Sequence, residues 1–434
     1  MPKRATLILG SALALIVAAG GIAVTDTYAG RLLRLWGPDS EDYRSLPTRE
    51  VLAGRPSPLP ERRDGEWPRR IGLAYRGSDL STSADLDRFL ASNGTTAFLV
   101  LENGILVDER YYGGKDRRSM VKTFSITKSL LSAVFGIAES EGLISPSDPL
   151  GRYLDGLDGP IAALPLQHLL DNTAGFAYER GNLPWKQQPR MYYTTDARSY
   201  VQGAARFEYP PGSHYVGEDL SPLLLGAALE RALRRRYPGL TLSEYVSLRL
   251  WKPLGAQYRA LFTLDRAEDG LEKVESGFTA RAIDLARFGQ MYLEGGTYGG
   301  RRIVPSQWVA ESTTAPQRAR PNAFPHGFHR NLWWGRYRPD QRRPDFFANG
   351  HFGQRIYVSP DRRLVIVRLG SSGGGVDWTD FLAGIAGAWK PGRSTARATA
   401  SRAGQGDDAD AYPVGNPLLR MRAFTSGSRP RNSR

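Results

Sequence analysis

The stretch Thr123-Phe124-Ser125-Ile126-Thr127-Lys128-Ser129 decides how this chain is read. It opens a run from Ser125 to Glu141 in which Leu130, Leu131, Val134, Phe135 and Ala138 recur at helical spacing before Gly142 stops it. Two residues three apart on a helix share one face, about one turn from each other. A serine hydroxyl is a poor nucleophile until a base takes its proton. A lysine can be that base when burial or neighbouring positive charge pulls its pKa down from about 10.4. A buried helix start supplies burial, and its free N–H groups favour developing negative charge. Ser125 is therefore the candidate nucleophile and Lys128 the candidate base.

The pattern S-x-x-K alone is weak, and the chain holds a second copy, Ser119-Met120-Val121-Lys122. That copy has no amphipathic helix of its own and lies in a polar approach after Asp116, Arg117 and Arg118. The helical run behind Ser125 makes the later copy the chemical one.

Working outward, Ala97–Leu101 and Ile105–Val107 flank Glu102-Asn103-Gly104, and Asn-Gly between apolar runs predicts a β-hairpin. Near the other end, Leu364-Val365-Ile366-Val367-Arg368-Leu369 reads as a strand buried on both faces, followed by a helix over 378–389. Between them the periodicity predicts helices over 223–236, 280–294 and 306–312. Strands at both ends thus bracket a mainly helical middle over 150–300. The closure this implies is a mixed α/β (α+β) domain whose sheet joins N- and C-terminal strands around a helical insert.

Composition narrows the setting. With 434 residues, 41% of them hydrophobic, the chain can bury a large core. It has no cysteine, which excludes disulfides and thiolate chemistry. The five histidines show no ligand spacing, so neither a metal nor another cofactor is expected. The net charge of +14 comes with no aromatic-interleaved basic stripe, so a solvated basic surface, apt for anionic lipid, is a better reading than nucleic-acid binding. Lys3 and Arg4 precede an almost unbroken apolar run from Ala5 to Val24, the length a membrane helix needs. Residues 1–25 read as a membrane anchor or signal peptide, the anchor preferred, and the remainder as exported, membrane-anchored or periplasmic. Residues 26–80 are expected as a Pro/Arg-rich spacer, 81–390 as the catalytic domain and 391–434 as a disordered basic tail. The oligomeric state is left open.

Five stretches in order resemble the serine β-lactamase and penicillin-binding-protein superfamily, nearest to class C β-lactamases, related esterases and 6-aminohexanoate-dimer hydrolases. They are Thr123–Ser129, Leu169–Gly175, Pro211-Gly212 running to Leu224-Leu225-Gly226, Ser276-Gly277-Phe278 with Asp284–Gly289, and Gly350–Gln354. The resemblance implies a β-lactamase-like fold, an antiparallel sheet flanked by helices with a helical second domain and the active site between them. It implies acyl-enzyme chemistry on Ser125 with Lys128 as base or relay. It maps the third family motif, Lys-Thr-Gly or His-x-Gly on a strand, onto His351-Phe352-Gly353, with Gly353 allowing close approach. The oxyanion hole falls to the N–H groups of Ser125 and Gln354. Outside that motif, His351 would read as an ordinary hydrogen-bonded residue.

The second family motif, Tyr-x-Asn or Tyr-x-Ser, is altered. Without gaps, its tyrosine falls on Gly217, followed by Glu218 and Asp219. The nearest tyrosine, Tyr215, faces the same way in an extended loop and is the candidate proton shuttle; Glu218 is a weaker substitute and packing is the plain alternative for Tyr215. Tyr192, Tyr193 and Asp196 are candidates to line the site, and so are Trp333 and Trp334, although core packing suits the tryptophans better. The functional expectation is a serine hydrolase acting on a small-molecule ester or small amide. A DD-peptidase or β-lactamase shares its chemistry; a membrane-anchored pseudo-hydrolase that binds a cell-envelope ligand is the reading of another class.

Overall fold

The computed structural model describes residues 25–57, 59–62, 73–80, 82–314 and 327–389. Its main sheet has seven strands, each antiparallel to its neighbours, in the order Gly327–Arg330, Trp333–Arg336, Asp345–Gly350, Gln354–Ser359, Leu364–Gly370, Thr95–Glu102, Ile105–Tyr111. Sequence-distant strands therefore meet at the centre, where Leu364 lies opposite Glu102 and Arg368 opposite Phe98. Every residue of these two central strands is buried. The predicted hairpin is present: Asn103 and Gly104 both take positive φ, 51° and 78°, as a two-residue turn between right-twisted strands requires.

Helices cover both faces, which is why the central strands carry unbroken apolar runs. On one face lies the helix Ala282–Leu293. Its Gly289 sits so close to the sheet that a Cβ there would be 2.6 Å from Val365 and 2.8 Å from Ile356. On the other, the helices Ser83–Ser92 and Trp378–Ala388 bury Leu86, Leu90, Phe381 and Ile385 against Phe98, Val100, Tyr357 and Ile366. The predicted helices appear at Leu220–Arg236, Ala282–Leu293, Ser306–Thr313 and Trp378–Ala388.

Two expectations need correction. The middle of the chain is not only helices and loops. A second sheet runs in the order Thr48–Val51, Ala260–Thr263, Phe278–Ala280, Val121–Lys122. These strands are two to four residues long, too short to show a period. The same sheet overturns the reading of 26–80 as a spacer. Within that stretch, Thr48–Val51 pairs with Ala260–Thr263, the helix Tyr28–Leu35 caps itself through Thr27, and Ser57 N–H donates to Gly255 O at 3.0 Å. Residues 27–57 are thus built into the domain. The expected anchor or signal segment (1–25), all but Thr25, and the expected basic tail (391–434) lie outside the described residues. Among the described residues, no helix is long and apolar enough to cross a membrane.

Candidate active site

The short strand Val121–Lys122 delivers the chain to the site. Thr123 donates to Phe278 O through both its N–H and its Oγ1, each at 2.9 Å. Thr127 Oγ1 accepts from Phe278 N–H at 3.0 Å and donates to Phe124 O at 2.6 Å. Between these lashings Phe124 adopts φ +49°, a left-handed conformation costing a side-chain-bearing residue about 1–2 kcal/mol. Its ring is held edge-on by His351 and Phe352, with centroids 5.5 and 5.4 Å away. The sharp turn puts Ser125 at the N-cap of the buried helix Ile126–Ser140, facing a cleft of about 970 Å³. Ser125 is half-buried, and its N–H has no acceptor among the described residues.

Lys128, one turn on, lines the same cleft. Its Nζ donates to Asp219 Oδ1 at 2.6 Å and to Glu218 O at 3.3 Å. The second Asp219 oxygen accepts from Tyr178 Oη at 3.3 Å. In the gap-free register Asp219 falls where the family motif carries Asn or Ser, and here its carboxylate engages Lys128. Its neighbour Glu218 turns away: the carboxylate accepts from Ser221 N–H at 2.9 Å and closes the start of the helix Leu220–Arg236, and burial pushes its pKa up to about 7. That capping bond removes Glu218 from contention as the substitute base.

Tyr215 is in the cleft wall, with its ring 5.0 Å from His329 and 5.4 Å from Trp334. Burial raises its phenol well above the ordinary value, so it holds its proton at neutral pH. The altered motif now has a physical reason. A Cβ on Gly217 would lie 2.9 Å from Tyr215 Oη and 2.9 Å from Arg180 Nη2. The Tyr215 hydroxyl occupies the space in which a side chain at 217 would start, so a larger residue fits there only by displacing it. Asn172, itself at φ +51°, holds the loop by donating from Nδ2 to Val216 O and Glu218 O, both at 3.1 Å.

The third motif is displaced from its expected setting. His351–Gly353 is not strand but a tight turn between Asp345–Gly350 and Gln354–Ser359, with Phe352 at φ +58° and Gly353 at φ +75°. His351, Phe352 and Gly353 line the cleft. Burial lowers the His351 pKa, with Asp219 opposing, so the ring is neutral at pH 7. Gly353 is glycine for a different reason than expected: a Cβ there would strike the Trp378 indole at 2.2 Å. Gln354 is not brought to the cleft surface. Its N–H closes the turn onto His351 O, and its side chain is clamped to Gly370, donating to O at 2.7 Å and accepting from N–H at 2.8 Å.

Of the further candidates, Tyr192, Tyr193 and Trp334 line the cleft. Trp333 is fully buried against Tyr292 and Phe346, as core packing required. Asp196 is not among the lining residues; it caps the helix Ala197–Ala204 through Ser199 N–H and pairs with Arg266 at 3.8 Å. The second S-x-x-K copy is pulled apart by its extended backbone. Ser119 sits in a surface turn bonded to Asp116 at 2.8 Å, whereas Lys122 is wholly buried. Lys122 was not expected to matter, yet it lies behind the cleft wall. Its Nζ donates to Tyr192 Oη at 2.5 Å, that hydroxyl donates to Asp42, and burial lowers the lysine to about 8. No periodicity marks this group, because Asp42, Lys122 and Tyr192 come from three distant segments. Among the described residues, no cluster of three His, Cys, Asp or Glu is placed to hold a metal ion.

A serine at a strained strand-to-helix turn, a lysine one turn on and a tyrosine line one cleft, an arrangement that fits a serine hydrolase of the S-x-x-K class. The chain belongs to the Beta-lactamase family, whose model matches residues 82–380. It is similar to the 6-aminohexanoate-dimer hydrolase of Paenarthrobacter ureafaciens, with 28% identity over 66% of this chain and 75% of that protein. In fold it is similar to a solved structure described as a "putative 6-aminohexanoate-dimer hydrolase" from Bacillus anthracis, with 24% identity, TM-score 0.67, and 80% and 91% of the two chains covered. A class C β-lactamase shares the fold at 14% identity and TM-score 0.52, over 71% of this chain and 94% of that one.

Proposed function

We propose that this serine hydrolase cleaves an ester or a small linear amide through an acyl-enzyme on Ser125. The observation that carries the proposal is the convergence of Ser125, Lys128 and Tyr215 on one cleft, with Lys128 steered by Asp219 at 2.6 Å. Lys128 Nζ passes one proton to Asp219 Oδ1, and the amine so freed takes the Ser125 proton as Oγ bonds to the substrate carbonyl carbon. The oxyanion forms against the unengaged Ser125 N–H, a donor type worth about 10²–10³ in rate. Gln354 N–H serves as the second donor only by releasing the His351 carbonyl. As the carbon–heteroatom bond breaks, the protonated Tyr215 supplies the leaving group's proton and regains one from Lys128, which takes its own back from Asp219. Water then releases the acyl group by the reverse route.

A linear substrate is supported by the name of the similar Paenarthrobacter protein and by the altered Tyr-x-Asn and Lys-Thr-Gly motifs, which count against β-lactams. We read the apolar run Ala5–Val24 as an anchor holding an exported enzyme at a membrane. The test is labelling with a fluorophosphonate followed by peptide mass analysis. The adduct is expected on the Ser125 peptide, lost in Ser125→Ala and kept in Ser119→Ala. A folded protein that takes no label, or takes it elsewhere, refutes the proposal.

A further inference from the structure

Seven large apolar side chains are markedly exposed among the described residues, and four of them sit on two adjoining segments at the cleft mouth. Leu33 (37% exposed) and Trp36 (87%) belong to the helix Tyr28–Leu35 and its C-cap. Leu183 (51%) and Trp185 (62%) belong to the loop before the helix Gln187–Tyr193. The segments are tied together: Tyr28 Oη donates to Pro184 O, and Arg31 Nη1 donates to Thr194 O at 3.0 Å. Leu32, Trp36 and Pro38 also line the cleft that holds Ser125. Trp36 takes φ +53° as the left-handed C-cap of this helix, its N–H bonded to Leu32 O and its indole in solvent. Water is a poor partner for two exposed indoles and two leucines placed together.

We propose that this lip rests in the headgroup region of a lipid bilayer, so that the cleft opens at the membrane surface. The proposal rests on reading Ala5–Val24 as the anchor. From Val24 to Tyr28 is four residues, about 14 Å at full extension. The helix Tyr28–Leu35 adds about 12 Å. The interfacial layer on each side of the apolar core is about 5–8 Å deep. A tether this short holds the start of the helix at or just above that layer, and tryptophan is the side chain that settles there. Charge agrees with an anionic surface. The two segments carry Arg31, Arg34, Lys186 and Arg190 against Asp26, which pairs with Arg31 at 2.7 Å and Arg34 at 3.9 Å, and Glu179, which pairs with Lys186 at 3.1 Å, so positive charge is in excess. The substrate class follows: an amphiphilic ester or amide that collects at a bilayer surface meets the cleft mouth directly.

The absence of native cysteine makes single-site labelling clean. The full chain is reconstituted into vesicles of phosphatidylcholine and phosphatidylglycerol carrying a doxyl-lipid quencher. An environment-sensitive fluorophore is placed at Trp36→Cys, Leu183→Cys or Trp185→Cys, and at the exposed Leu52→Cys and Tyr337→Cys as comparison sites away from the cleft. Circular dichroism verifies each fold. Labels at 36, 183 and 185 are expected to be quenched about fivefold more than those at 52 and 337, with blue-shifted emission. Flotation with the vesicles but equal quenching at all sites overturns the lip and leaves the anchor standing. No flotation overturns both.

Discussion

Replacing Gly217 by alanine tests the reading of Tyr215 as the leaving-group acid. The new Cβ would start 2.9 Å from Tyr215 Oη and 2.9 Å from Arg180 Nη2. Ordinary contact begins near 3.5 Å, so each neighbour must yield by about 0.6 Å. Arg180 is exposed and can swing aside, whereas the Tyr215 ring is wedged between His329 and Trp334. The hydroxyl is therefore pushed out of line, at a stability cost of about 1–3 kcal/mol for the overpacked site. A misplacement approaching 1 Å costs about 10–100-fold in a positioned proton transfer. The loss should depend on the leaving group. A p-nitrophenyl ester expels a stable anion and needs no proton. A p-nitroanilide does need one. Gly217→Ala should lower kcat for the anilide about 10–100-fold and for the ester less than about threefold. Tyr215→Phe should repeat the pattern more strongly, about 10²–10³ on the anilide. Steady-state kinetics on the two substrates, with Tm as the folding control, measures both. Equal losses on ester and anilide would refute the assignment, because a general acid cannot matter equally to both.

The ion pair at Lys128 and the buried cluster behind it give two further outcomes. Asp219→Ala removes the acceptor 2.6 Å from Lys128 Nζ, and a hydrogen bond to a charged group is worth about 1.5–3 kcal/mol. The rate of fluorophosphonate labelling should fall about 10–100-fold, with Asp219→Asn losing less because an acceptor remains. For Lys122, burial lowers the folded-state pKa to about 8, from 10.5 in the unfolded chain. Between these values the unfolded chain binds the proton and the folded one does not, so this lysine's contribution makes stability rise with pH from about 8 to about 10.5. Urea unfolding across that window should show the rise in the wild type and a shallower one in Lys122→Met; identical slopes would contradict the buried, desolvated lysine.

Local pattern carried much of this protein. The hairpin at Asn103-Gly104 follows from two residues that accept positive φ. The doubly buried strand Leu364–Gly370 follows from an unbroken apolar run, and the helix behind Ser125 from its spacing. Those same signals separated Ser125-Lys128 from Ser119-Lys122: on a helix the three-residue spacing joins the pair, and on an extended strand it parts them. The turn at His351–Gly353 was misread as strand because left-handed φ at Phe352 has no signature in a phenylalanine.

What sequence determined by itself, then, is the set of elements and the chemical pair that one helix can bring together, since both depend on neighbours a few residues apart. Tertiary structure alone decided the partners that come from afar: Asp219 on Lys128, Asp42 and Tyr192 on Lys122, and the Tyr28–Leu35 helix along the cleft. It also decided that the hydroxyl of Tyr215 lies over Gly217. An empty side-chain position in a sequence does not say whose atoms fill the space, and only the packed loop shows that a tyrosine two residues earlier does.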